Sequence, residues 1–127
     1  LMYPGRRVLA VCGDGGFMMN SQELETAVRL GLDLVVLILQ DDAYGMIRWK
    51  QAADKFADFG LTFGNPDFVR FAESFGIPAW RCETASDFAK RLDEALATDG
   101  PSLIAVPIDY SPDVAIVGEL GEEVPPT

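Results

Sequence analysis

Hydrophobic residues in this chain fall into two kinds of run, short unbroken ones and ones spaced three and four apart. Val8 to Cys12, in RVLAVCGDGG, is unbroken and stops at a glycine turn, which predicts a buried β-strand. Asn20 or Ser21 can then cap a helix with Leu24, Ala27 and Val28 inward, Glu25 and Arg29 paired at i,i+4, and Gly31 as its stop. DLVVLIL follows, apolar on both faces as the central strands of parallel sheets are. A helix from about Met46 to Phe56 comes next. Phe68, Phe71, Ala72 and Phe75 then recur at i, i+3, i+4 and i+7, with Pro66 and Asp67 in the first turn. PAWRCE predicts a short strand. A helix from about Ser86 to Thr98 follows, with Phe88, Leu92, Ala95 and Leu96 inward and Gly100 as its stop, and PSLIAVPID is the last strand. From Pro112 the chain is rich in proline and acid and is expected to wrap a surface or fray.

Strands alternating with helices imply right-handed βαβ units, hence an α/β fold with a parallel sheet covered by helices on both faces. The division expected is one domain over residues 1–111 and a tail over 112–127. At 127 residues, 49% of them hydrophobic, the chain suits one domain with a real core. No apolar stretch approaches the roughly 18 residues that span a bilayer. No secretory signal is visible, although the chain starts at Leu1, so an upstream segment is conceivable.

The formal net charge is −10, which argues against nucleic acid or anionic membrane as partners and otherwise serves solubility. Cys12 and Cys82 lie in apolar strand-like runs and are expected to be buried free thiols in a reducing cytoplasm. There is no histidine, which removes His-based catalysis and most zinc or haem sites.

The candidate chemistry sits in the loops that follow the first two strands. Gly13-Asp14-Gly15 ends one strand and Asp41-Asp42 ends the next, with 24 residues between Gly15 and Gln40. In open α/β sheets ligands bind at the carboxyl ends of the strands. If those strands are neighbours, two carboxylates converge and repel unless a cation lies between them, and oxygen-only ligands favour Mg²⁺ or Ca²⁺ over zinc. Gly13, Gly15 and Gly16 would let a bulky anion approach the backbone, and the helix starting near Asn20 would present N–H groups to phosphate. Mg²⁺ bridging two carboxylates to a diphosphate is the economical reading. The plainer alternative is that GDG is only a tight turn.

GDG, then QDDAYGMIRWKQ two dozen residues later, resembles the signature of thiamine-diphosphate enzymes. FGNPDFVRFAESFG and VPIDYS are similar to the C-terminal cofactor domain of acetolactate synthase and its relatives, so the likeness runs from about Arg7 to Ser111. The resemblance implies the thiamine-diphosphate-binding fold, here truncated, with thiamine diphosphate and Mg²⁺ as cofactors. It implies that Asp14, Asp41 and the backbone carbonyl of Ala43 are the protein's metal ligands. Gly13, Gly15, Gly16 and Phe17 would line the diphosphate, with Tyr44, Gly45 and Met46 continuing the cofactor site. Two positions depart from the family's pattern. Gln40 stands where relatives have Asn, and Asp42 brings a negative charge that should weaken diphosphate binding unless it points to solvent, so Asp42→Asn is expected to strengthen it.

By resemblance the full enzyme is a cytoplasmic transferase of branched-chain amino acid biosynthesis, a carboligase that decarboxylates pyruvate and joins the two-carbon unit to a second 2-keto acid. The glutamate that activates the cofactor lies in this family on a separate pyrimidine-binding domain, of the same or another chain. No catalytic residue is therefore assigned here, and the chain is expected to be inactive alone and to work as a homo-oligomer. Glu23 is better explained as a helix-surface carboxylate, while Met46, Trp49 and Gln51 could face substrate or pack in the core. The alternatives are a domain or split subunit of a related 2-keto acid decarboxylase and a non-catalytic metal- or anion-binding domain.

Overall fold

The computed structural model describes residues 5–110, so the expected tail from Pro112 lies outside the described residues. Four strands form one sheet: β1 (Val8–Gly13), β2 (Leu34–Gln40), β3 (Ala79–Arg81) and β4 (Ser102–Pro107). Their spatial order is β1-β2-β4-β3 and every pairing is parallel. Five helices connect them: α1 (Asp14–Met19), α2 (Glu23–Arg29), α3 (Gly45–Ala53), α4 (Phe68–Glu73) and α5 (Ala85–Ala97).

Side chains alternate across each strand, and the unbroken apolar runs therefore feed two cores. Val36 and Ile38 of β2, with Leu103 and Ala105 of β4, face Leu24, Phe68, Ala72 and Ile77 on one side. Val35, Leu37 and Ile104 face Cys82 and Ala95 on the other, with Phe88 and Leu92 packed at the margin. The expected α/β fold with helices on both faces is what forms. The strand order explains the split. From β1 to β2 to β3 the chain moves across the sheet in one direction, and from β3 to β4 it turns back. Right-handed crossovers then require α2 and α4 on one face and α5 on the opposite one.

Local signals account for the element ends. The Asp67 carboxylate accepts from the N–H groups of Val69 (3.0 Å) and Arg70 (3.1 Å), so Asp67 is the N-cap of α4 rather than part of its first turn. Thr84 caps α5 through the Asp87 N–H, and Gly100 follows α5 in the left-handed conformation its stop requires (φ 79°).

Four expectations are corrected. β1 is an edge strand, with Val8, Leu9 and Val11 exposed. An unbroken apolar run looks the same whether or not a second neighbour covers it. Val28 and Leu96 point outward, each 42% exposed, while Leu24, Ala27 and Ala95 are the buried residues of their helices. A short helix, α1, begins at Asp14 itself, ahead of the helix read from Asn20 onward. Cys82 is fully buried, but Cys12 is only half-buried because it lies on the exposed strand; burial pushes both thiols up from their ordinary range.

Candidate functional site

The ends of β1 and β2 are adjacent. Their register sets Gly13 opposite Leu39, so the residues that follow, Asp14 and the Gln40–Asp42 stretch, leave the sheet side by side. Asp14 is 1% exposed. Burying a carboxylate is costly unless donors replace its water. Three do so: the Gly15 N–H gives a 2.8 Å bond to Oδ1, and the Asp42 N–H (2.8 Å) and Asn65 Nδ2 (2.6 Å) both donate to Oδ2.

Asp41 meets a different environment. Burial, and then the Asp14 carboxylate within hydrogen-bonding reach beside it, push its pKa above the ordinary carboxylate value, while N–H groups of Ala43 and of Asp41 itself pull the other way. Two carboxylates held together in this way are a ready pair of ligands for a hard cation. Among the described residues no group of three or more His, Cys, Asp or Glu side chains could hold a metal.

The loop after β2 is tied down by main-chain bonds. Tyr44 N–H donates to the Leu61 carbonyl at 2.9 Å and Phe63 N–H to the Asp42 carbonyl at 3.2 Å, pinning Asp42–Tyr44 along residues 61–63. Ala43 is buried there and pairs with Thr62. Gly45 is needed by the site itself, because a Cβ on it would lie 2.7 Å from Asp41 Oδ2. At Gly15 a Cβ would lie 2.8 Å from Tyr44 Cε1 and 3.1 Å from Phe63 Cζ, rings that pack at 4.8 Å.

These loops enclose a cleft of about 390 Å³. Of the residues the sequence proposed, Gly13, Asp14, Gly15, Gly16, Asp41, Ala43, Tyr44, Gly45 and Met46 all line it. A Cβ on Gly13 or Gly16 would meet no atom within 4 Å, so packing within the described residues does not demand glycine at either. An open backbone beside two carboxylates fits a diphosphate held through a cation.

Phe17 is not among the residues that line the cleft, and its ring packs in the core. It stands edge-on to Phe68 (5.6 Å) and Phe71 (6.2 Å), because α1 turns it back over the sheet onto the α4 side of the core. The N–H groups near the cleft also belong to α1, not to the helix after Asn20, and that of Gly15 is engaged by Asp14. Trp49 lines the cleft and packs on Tyr110 at 5.8 Å, whereas Gln51 does not reach it. Glu23 is exposed on the first turn of α2, away from the cleft lining.

Ile47, Tyr110 and Asn65 were not proposed as site residues. Ile47 and Tyr110 join the cleft lining, and Asn65 reaches Asp14 from the α3–α4 connection. Tyr110 had a usable signal, since it follows β4 in VPIDYS and so lies at a carboxyl strand end.

Asp42 does not turn its charge on the cleft, whose lining it does not join. Its backbone is left-handed (φ 55°), a conformation aspartate tolerates better than most side chains. Its Oδ1 accepts from Gln40 Nε2 (2.8 Å) and Asn65 Nδ2 (2.7 Å). Those two bonds, in that order, and then the Arg81 charge hold its carboxyl below the usual range.

A parallel sheet with an acid pair and open glycines at adjacent carboxyl strand ends defines a cofactor-binding α/β domain. Residues 1–106 match the family "Thiamine pyrophosphate enzyme, C-terminal TPP binding domain", and the chain belongs to that family. It is 38% identical to an acetolactate synthase of Bacillus subtilis (strain 168) over 94% of this chain and 21% of that protein. It is also 38% identical to a catabolic acetolactate synthase of Raoultella terrigena, over 94% of this chain and 22% of the relative. Among solved structures it resembles the benzoylformate decarboxylase of Polynucleobacter necessarius, with TM-score 0.79 and 26% identity over 84% of this chain and 20% of that one. A thiamine diphosphate-dependent 4-hydroxybenzoylformate decarboxylase of Rhodococcus jostii RHA1 superposes with TM-score 0.76 and 32% identity, over 85% of this chain and 21% of that one. The chain thus spans about a fifth of the length of these relatives. It is a thiamine-diphosphate-binding C-terminal domain homologous to acetolactate synthases.

Proposed function

We propose that this domain grips the diphosphate of thiamine diphosphate through Mg²⁺ held by Asp14, Asp41 and the Ala43 carbonyl. The protein it serves is an acetolactate synthase-like carboligase acting on pyruvate. The observation that supports the clamp is the convergence of Asp14 and Asp41 at neighbouring strand ends, beside glycines whose missing side chains leave the cleft open. Bound thiamine diphosphate supplies the carbanion-stabilising chemistry for decarboxylating one 2-keto acid and joining the fragment to another. The chain's own contribution is narrower. Asp14 and Asp41 offer anionic oxygens to the metal, Gly13 and Gly16 give the phosphates room, and Tyr44 and Trp49 form an apolar wall that helps exclude water.

Among the described residues the cleft's carboxylates, Asp14 and Asp41, are assigned to the metal, the chain has no histidine, and Glu23 lies elsewhere. By its likeness to the family, the activating group would come from a pyrimidine-binding domain, in the same or a partner chain. This chain by itself is expected to form no acetolactate from pyruvate above free cofactor. The structural likeness to benzoylformate decarboxylases keeps a second reading, decarboxylation of an aromatic 2-keto acid, within the same site chemistry. Calorimetric titration of the chain with thiamine diphosphate, with and without Mg²⁺, tests the clamp. Binding that needs the cation supports it, and no binding at millimolar cofactor overturns it in favour of a non-catalytic domain. Turnover of pyruvate against benzoylformate by the full-length protein decides between the two activities.

A further inference from the structure

The polar groups behind Asp14 form one continuous chain that extends well beyond the cleft. Arg81, at the end of the far edge strand β3, donates through Nη1 to Gln40 Oε1 at 2.8 Å. Gln40 then donates from Nε2 to Asp42 Oδ1, and Asn65 Nδ2 donates both to that same oxygen and to Asp14 Oδ2. Asp42 closes the circuit with its backbone N–H on Asp14 Oδ2. Gln40 accepts on its oxygen and donates from its nitrogen, and Asn65 donates from its amide nitrogen to two carboxylates while its Oδ1 is buried without a partner. Neither Asn65 nor Gln40 lines the cleft.

We propose that Asn65 is a positioning residue for the metal clamp and that Arg81, Gln40 and Asp42 form the relay that orients it. The inference rests on the clamp reading above. Asn65 and the Asp42 N–H together hold Asp14 Oδ2, which leaves the carboxylate one orientation rather than a range of rotamers. A ligand set in advance binds its cation without losing that freedom on binding. The relay also gives Gln40 and Asp42, the two departures from the family's pattern, a joint role. The longer Gln40 spans from Arg81 to Asp42, and the Asp42 carboxylate is the acceptor that anchors Asn65 from the far side. Its charge is balanced toward Arg81 and directed away from where phosphates would lie.

The test uses the full polypeptide containing this chain and measures the Mg²⁺ concentration for half-saturation at fixed thiamine diphosphate. Mn²⁺ paramagnetic resonance serves as a spectroscopic probe of the metal's surroundings. Asn65→Leu, close in size but without donors, should raise the half-saturating Mg²⁺ at least tenfold and alter the Mn²⁺ spectrum, with the metal-free melting temperature within a few degrees of the parent. Arg81→Met, on the surface and remote from the cleft, should raise it two- to fivefold. That effect should vanish in a Gln40→Ala background, because the relay is already cut. Half-saturation within twofold of the parent for Asn65→Leu, or an Arg81→Met effect equally large without Gln40, overturns the relay. Should Asn65→Leu unfold, the Arg81–Gln40 cycle alone decides. A parent that binds no cofactor with Mg²⁺ would instead sink the clamp itself, a distinguishable result.

Discussion

Asp14 and Asp41 are the same side chain at the ends of adjacent parallel strands, yet the fold treats them in opposite ways. Asp14 is buried and fully supplied with donors: two backbone N–H groups and one amide. Asp41 is half-buried, faces the charge of its neighbour, and has a pKa raised by burial and by that charge. One carboxylate is stable where it stands. The other carries an electrostatic penalty that a bound cation, or a proton, would relieve. A binding site needs both, a rigid anchor and a ligand whose unfavourable charge is discharged on binding.

Four substitutions and one control would break or sharpen this contrast. The largest effect is expected from Asp14→Ala, which removes the anchor and leaves the Asn65 amide and two N–H groups facing a void. Cofactor affinity should fall at least tenfold, about 1.4 kcal/mol, in calorimetric titration. The metal-free protein should also lose stability, because buried donors are left unpaired. Equal affinity in this variant would show that the cation sits elsewhere.

Asp41→Asn should separate the two properties. Cofactor affinity should fall severalfold in the same titration, since the second anionic ligand is gone. The melting temperature of the metal-free protein should rise by a few degrees, because the repulsion from Asp14 is removed. A variant destabilised without metal would mean that Asp41 is not strained by its neighbour.

Gly45→Ala probes the space Asp41 occupies. The added methyl would sit 2.7 Å from Asp41 Oδ2, so the carboxylate has to swing away. Affinity should drop by roughly two- to fivefold, with Asp14 untouched, as read by the Mg²⁺ dependence of cofactor binding. Gly16→Ala, whose Cβ meets no atom within 4 Å, is the control for added volume: its metal-free melting temperature should match the parent's.

The smallest effect is expected from Asp42→Asn. The sequence alone suggested that removing this charge would strengthen binding. In the structure the asparagine oxygen can still accept from Gln40 and Asn65, and the left-handed backbone tolerates asparagine. The charge removed is one already directed away from the cleft. A change of less than twofold at low salt is the expected titration result, and a large gain would mean that Asp42 does act on the diphosphate.

How much of this was legible beforehand differs by residue. Strands such as LVVLILQ were readable as strands because an unbroken apolar run fits a parallel sheet, although the run does not say whether it is covered on both faces. Most of the cleft was readable too, because glycines and acids immediately after strands leave few other placements in a parallel sheet. The position of the Phe17 ring was not readable, because its number puts it beside the glycines whereas the turn of α1 sends the ring to the core. Val28 and Leu96 were misjudged because apolar spacing alone does not say how wide a stripe the neighbouring layer covers.

The sequence by itself determined the alternation of strands and helices, the two acidic strand-end loops and the glycines around them, since each follows from local periodicity and turn chemistry. Only the tertiary structure decided that β1 lies at an edge with β4 inserted between β2 and β3, since strand order depends on which faces find cover. It also decided that Asn65, far along the chain from Asp14, becomes one of its hydrogen-bond donors. No local pattern marks such a residue. A side chain that acts through another has its role set by distance in space, which the fold creates and the order of residues along the chain does not reveal.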